Sequence, residues 1–74
     1  MSTVKLVGWK PRFQKVSCTK IIRKHTGYGL AKGKKCTDDV LENKEVVISN
    51  LDENVAEQLL KEMTGMGVIA VVES

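Results

Sequence analysis

Residues 15–40, KVSCTKIIRKHTGYGLAKGKKCTDDV, decide the fold, because they predict two short helices joined by a turn at residues 26–29. At spacings of three and four residues, one face of the first helix carries Cys18, Ile21, Ile22 and His25. The same spacing gives the second helix a face made of Gly33, Cys36, Thr37 and Val40. Cations crowd the opposite side without a carboxylate among them: Lys15, Lys20, Arg23, Lys24, Lys32, Lys34 and Lys35. We therefore expect a helical hairpin with one buried side and one basic, exposed side.

A strand is predicted before the hairpin, over residues 3–10, where side chains alternate in character and branched residues are frequent. Alternation places two sets of residues on opposite sides of this strand: Val4, Leu6 and Gly8, and Lys5, Val7 and Trp9. Pro11 ends the strand, because proline cannot donate a hydrogen bond to a neighbouring strand.

Beyond the hairpin, residues 45–49 and 68–73 predict two further strands with a third helix between them. Asp52 is expected to cap the start of that helix, with Leu51 and Ala56 packed as a hydrophobic staple. Asn50 with Glu53 as a capping box remains the alternative. The third helix should end at one of two glycines, at positions 65 and 67.

The resulting order is β-α-α-β-α-β in a single domain spanning residues 1–74, because so short a chain buries only one core. The three helices must cover one face of a three-stranded antiparallel sheet, since nothing else can bury their apolar faces. The sequence therefore predicts an α+β fold. Its expected core contains Leu6, Ile22, Leu59, Met63, Val68 and Val72.

Composition argues against several classes of protein. No apolar run reaches the roughly 20 residues of a membrane helix. No signal-peptide core follows Met1. We therefore expect a cytoplasmic protein without membrane contact. Cys18 and Cys36 are too few for a disulfide framework or a zinc site. The sequence contains no nucleophile–base pair and no spacing typical of metal ligands. The glycines between Gly27 and Lys34 match neither the phosphate-loop motif nor the dinucleotide-binding motif. A non-enzymatic protein without cofactor or metal is predicted.

Charge is divided unequally along the chain. Residues 1–36 hold ten Lys or Arg and no acid, whereas residues 37–74 hold all nine acids and two Lys. One interpretation is an anionic partner for the first half. The other is that the two halves attract each other across the fold.

The hairpin also resembles a known domain, on the residues Lys15-Val16, Lys20, Arg23 and Thr26-Gly27-x-Gly29-Leu30-x-x-x-Lys34. Together with Ala56-Glu57, Leu59, Lys61 and Gly67, this pattern is similar to the C-terminal domain of the bacterial ribosomal stalk protein, large-subunit protein seven/twelve. The resemblance covers roughly residues 3–73 and implies the architecture predicted above. The family's dimerisation segment and hinge have no counterpart in these 74 residues.

The resemblance implies a role as well: stalk domains dock on translational GTPases through this hairpin. The corresponding residues here are Lys15, Val16, Thr19, Lys20, Arg23, Leu30 and Lys34. Three positions depart from the family: Thr19 replaces a usual Ile, Ala31 replaces a usual Lys, and Lys35 is an added charge. Thr19 should make a contact more electrostatic and more sensitive to salt.

A protein-binding module that docks on acidic protein surfaces is the predicted function. Weak, sequence-independent binding of nucleic acid through the lysines is the alternative, although such modules usually interleave more aromatics and arginines. A second contact is predicted on the sheet face turned away from the helices, where apolar residues would support self-association. Its expected members are Val7, Trp9, Ile69 and Val71.

Overall fold

Three strands form one antiparallel sheet, and three helices cover one of its faces. The computed structural model describes residues 1–73, with elements in the order β1 (Ser2–Trp9), α1 (Lys15–Thr26), α2 (Leu30–Leu41), β2 (Val46–Leu51), α3 (Glu53–Gly65) and β3 (Val68–Glu73). The sheet order is β2-β1-β3, so β1 is central and the other two strands are edges. The predicted β-α-α-β-α-β order and the α+β class are confirmed.

The core lies between the sheet and the helix layer. There α2 packs on β1 and β2, α3 packs on β1 and β3, and α1 packs on α2 and α3. Four of the predicted core residues have no exposed surface, namely Leu6, Ile22, Leu59 and Met63, and Val68 is 2% exposed. Burial of each such side chain contributes about 1.5–3 kcal/mol.

Val72 departs from this pattern and is only partly buried. It lies on β3, an edge strand with no neighbouring strand on its outer side, so α3 covers the residue from one direction only. Val72 therefore packs against the core, as predicted, but is not fully buried within it.

Local signals fix the end of α1 and the start of α3. Gly27 adopts the left-handed conformation at φ 76°, and its N–H donates to the Arg23 carbonyl, which ends α1. At the start of α3, the Asp52 side chain accepts a hydrogen bond of 2.9 Å from the Asn54 N–H. Asp52 is thus the N-cap. The alternative at Asn50 is excluded, because that residue lies inside β2 at φ 60°.

A β-bulge interrupts the pairing of β1 with β3. Leu6 lies opposite Ala70, but Gly8 lies opposite Ile69, so Val7 is an extra residue in β1. A Cβ placed on Gly8 would lie 3.4 Å from Ile69 Cδ1, so Gly8 faces the side of the sheet away from the helices. The prediction that Gly8 faces the helices with Leu6 is therefore wrong.

The bulge also turns Trp9 towards the helix layer. Trp9 lies opposite the buried Val68, and its indole N–H donates to the Leu41 carbonyl at the end of α2, at 3.2 Å. Its ring centroid is 6.1 Å from that of Phe13. Trp9 therefore does not belong to the outer apolar face, contrary to the prediction. That face retains four half-exposed aliphatic residues: Val7, Val47, Ile69 and Val71.

Candidate functional site

The two hairpin helices approach each other most closely at Gly33. A Cβ on Gly33 would lie 2.8 Å from Arg23 Cγ and 3.4 Å from Thr19 Cγ2. Thr19 also meets Thr37 of α2, with 2.7 Å between the two hydroxyl oxygens. Thr19 thus lies opposite Thr37, and Arg23 lies opposite Gly33, so the two helices run antiparallel. The absence of a side chain at Gly33 therefore allows the two helices to pack closely.

Thr19 lies on the floor between the helices rather than on the exposed surface. It is 9% exposed, and its hydroxyl has two neighbours, the Thr37 hydroxyl and the Lys15 carbonyl, the latter at 3.3 Å. Thr37 in turn lies within 3.2 Å of the Gly33 carbonyl. One hydroxyl donates to the other, which donates to its own helix, so both are satisfied. The expectation that Thr19 is presented to a partner is wrong, because the close approach at Gly33 buries it.

The other predicted site residues surround this floor and are exposed. They are Lys15, Val16, Lys20, Arg23, Leu30 and Lys34, and we call them the basic hairpin surface. Val16 is 70% exposed and Leu30 is 51% exposed. Among residues 1–73, the four cations of this surface have no carboxylate within ion-pair distance.

Arg23 is held in place from two sides. Its stem lies over Gly33, and its Nε–H donates to the Tyr28 carbonyl at 3.3 Å. Arginine carries five N–H donors in a planar fork, and this contact uses only one of them. The two terminal NH2 groups of the guanidinium remain available for a bidentate contact with a carboxylate. The contact with Tyr28 cannot be predicted from sequence, because any residue provides a backbone carbonyl at that position.

The flank of α1 that faces α3 is neutralised. Lys24 Nζ lies 2.8 Å from Glu62 Oε1, and His25 Nε2 lies 2.6 Å from Glu62 Oε2. The hydrogen bond from Lys24, and secondly that from His25, lowers the pKa of Glu62 below its ordinary value. The residues lie 37 and 38 positions apart, so no local pattern pairs them. Here the two oppositely charged halves of the chain do attract each other.

Two more cations of α2 have partners. Lys35 Nζ lies 3.2 Å from Asp39 Oδ2 one turn later, and Lys32 Nζ lies 4.0 Å from the centroid of the Tyr28 ring. The predicted cluster of seven cations without a carboxylate is therefore wrong, because Lys24 and Lys35 are paired. The hairpin cations that have neither a carboxylate nor an aromatic partner among residues 1–73 are Lys15, Lys20, Arg23 and Lys34.

Charge in α2 opposes the helix dipole. Its first turn holds no acid and its last turn holds no base, while Lys32 and Lys34 lie near its start and Asp38 and Asp39 near its end. Each cation near a helix N-terminus costs about 0.3–1 kcal/mol relative to the favourable end. The dipole of α2 therefore does not account for Lys32, whose contact within the hairpin is with the Tyr28 ring.

The cysteines offer no reactive thiolate. Cys18 is fully buried, with its sulfur 3.9 Å from that of Met63, and Cys36 is partly buried. Burial raises the pKa of both thiols, so at neutral pH both are protonated and poorly nucleophilic. In the part of the chain that the structure describes, no three His, Cys, Asp or Glu side chains are grouped to hold a metal, and no helix is long and apolar enough to cross a membrane.

No protein-family model matches the sequence, and no curated protein matches it. The stalk resemblance thus rests on the motif residues of the hairpin and of α3.

Proposed function

We propose that this domain binds an acidic segment of a partner protein through the basic hairpin surface and performs no catalysis. One observation carries the proposal: two exposed aliphatic side chains, Val16 and Leu30, stand beside four cations that have no carboxylate partner among residues 1–73. A few apolar atoms bordered by unpaired charge suit rapid capture of an oppositely charged surface. The resemblance to stalk domains supports translational GTPases as the class of partner and the cytoplasm as the place.

The dimensions of the surface indicate the form of the partner segment. Because α1 and α2 run antiparallel, Val16 at the start of α1 and Leu30 at the start of α2 lie at opposite ends of the hairpin. The distance along the hairpin is seven residue steps from Val16 to Arg23 and three from Gly33 to Leu30, or about 15 Å at 1.5 Å per step. A helix of about three turns spans this distance. Such a helix would place acidic residues against Lys20 and Arg23 and an apolar residue near each end.

Nucleic acid is the competing ligand, since the same cations would contact phosphates. The exposed Val16 and Leu30 favour protein, because a phosphate backbone gives aliphatic side chains nothing to pack against.

The test is an NMR titration of the isotope-labelled domain with a translational GTPase and, separately, with a short single-stranded oligonucleotide. We expect shifts at the basic hairpin surface with the protein, and loss of binding in the double variant Lys20→Glu/Arg23→Glu. Lys10→Glu/Lys44→Glu is the matched control, because it makes the same change in net charge at exposed residues outside the hairpin. Shifts with the oligonucleotide but not with the GTPase would replace the proposal by the nucleic-acid function.

A further inference from the structure

The edge of the sheet at β3 is open to another strand. The run Val68–Val72 contains no charge and no proline, the two features by which edge strands usually block pairing. Side chains on both of its faces remain accessible: Ile69 and Val71 are 43% and 45% exposed, and Ala70 and Val72 are partly exposed. An apolar strand with one free side is suited to pairing with a further strand.

The opposite edge, at β2, is protected. Its pairing with β1 shifts register next to Asn50, which adopts φ 60°, and the adjoining Ser49 is polar. A bulge and polar residues of this kind hinder edge-to-edge pairing. A strand added to the sheet is therefore expected to pair with β3 rather than with β2.

A groove runs along the open edge between β3 and α3. It has a volume of about 450 Å³ and is lined by Glu57, Leu60, Lys61, Thr64 and Ala70. Glu57 and Lys61 stand one turn apart on α3, are exposed, and have no ion-pair partner within residues 1–73. The partly buried Leu60 lies between them. The rim of the groove therefore carries one charge of each sign on either side of an apolar residue.

We propose that two copies of this chain pair antiparallel through β3, about a two-fold axis beside Ala70, to form a six-stranded sheet. In that register Ile69 of each copy lies opposite Val71 of the other, and the outer apolar face becomes continuous. The axis also brings the two α3 helices side by side in opposite directions. Glu57 of each copy then faces Lys61 of the other, and this pair occurs twice.

The pairing is expected to be reversible. The domain measures 29 × 23 × 18 Å, and one sheet edge with its helix occupies only a narrow side of it. That contact is smaller than the roughly 800 Å² per partner of stable complexes. A dimer that forms with rising concentration is the expected state. It leaves the basic hairpin surface free, so its test is independent of the proposed function.

The test is a dilution series of the labelled domain, up to about 1 mM, followed by NMR and sedimentation velocity. Concentration-dependent shifts are expected in residues 68–72 and in the groove residues of α3. Glu57→Lys and Lys61→Glu should each weaken the dimer by about tenfold, because each makes both symmetric pairs repulsive. Mixing the two variants should restore association, since every pair in the mixed dimer is then a Lys with a Glu.

Glu42→Lys is the matched control for Glu57→Lys, with the same change in charge at the exposed residue that follows α2, and it should leave the dimer unchanged. The proposal is overturned if the chain stays monomeric throughout the series. It is also overturned if mixing fails to restore association, or if the shifts centre on Val7 and Val47, which would place the contact on the outer sheet face instead.

Discussion

The buried hydroxyl pair Thr19–Thr37 should stabilise the hairpin as a coupled unit. The perturbation is a double-mutant cycle made of Thr19→Val, Thr37→Val and the double variant. Valine has nearly the shape of threonine, so the packing against Gly33 is kept while each substitution removes one hydroxyl. The 2.7 Å contact between the two oxygens is lost in either single variant.

The expected magnitude follows from the burial of both residues, at 9% and 2% exposure. Loss of one net hydrogen bond at such a site costs about 1 kcal/mol. The remaining hydroxyl still donates to its own helix carbonyl, so the cost does not rise to that of an orphaned group. The double variant leaves no unpaired hydroxyl and should lose only about as much as one single variant. The coupling free energy is then about 1 kcal/mol, within a total stability of about 4–11 kcal/mol for a chain of this length.

Urea unfolding followed by the fluorescence of Trp9, the single tryptophan, measures these free energies. Heating gives an independent value, since 1 kcal/mol shifts Tm by about 4–8 °C in a domain of this size. Thr64→Val combined with Thr19→Val is the control, because the hydroxyl of the exposed Thr64 donates to the Lys61 carbonyl, far from Thr19, and the two effects should be additive. The reasoning is refuted if the Thr19 and Thr37 effects add within about 0.3 kcal/mol.

Three further perturbations probe the hairpin and its link to α3. Gly33→Ala should lower Tm, because the new Cβ would lie 2.8 Å from Arg23 Cγ. The resulting overpacking costs about 1–3 kcal/mol, which exceeds the gain in helix propensity of up to about 1 kcal/mol. A raised Tm would contradict the close approach of the two helices. Glu62→Gln should destabilise the domain near neutral pH, and the loss of stability should shrink as the pH falls below 4.5. The reason is that a carboxyl group with a lowered pKa stabilises the fold only while it is ionised. An equal loss of stability at pH 3 and pH 7 would rule out this role of Glu62. Val16→Ala/Leu30→Ala should weaken partner binding without changing Tm, because both side chains are exposed. The loss of affinity should be equal at low and high salt, since an apolar contact is not screened by ions. A salt-dependent loss of affinity, measured by calorimetry, would argue against an apolar contact.

The order of elements follows from local chemistry, which explains why the sequence predicts it. Gly27 ends α1 through its own positive φ, and Asp52 caps α3 through a residue only two positions away. Pro11 ends β1 by lacking a donor. Each of these signals acts within a few residues of the boundary that it sets.

The errors arise where distant segments meet. Trp9 is on the unexpected side because the bulge in β1 forms against β3, some sixty residues later. Val72 is less buried than expected because β3 lies at an edge, and strand order is not encoded in the alternation of one strand. Helical spacing placed Val16, Lys20 and Arg23 around Thr19. Only the close approach of α2 makes Thr19 the floor of that group.

The two interpretations of the uneven charge apply to opposite flanks of the same helix. On the flank of α1 that faces α3, Glu62 from the acidic half neutralises Lys24. On the flank that faces α2, no acid of residues 1–73 reaches Lys20 or Arg23. Folding therefore uses the attraction between the two halves on one side and leaves the cations of the other side exposed. Within α2, Asp38 lies one turn after Lys34, but the two side chains are not within ion-pair distance of each other. An acidic partner would therefore meet cations that no acid of residues 1–73 pairs with.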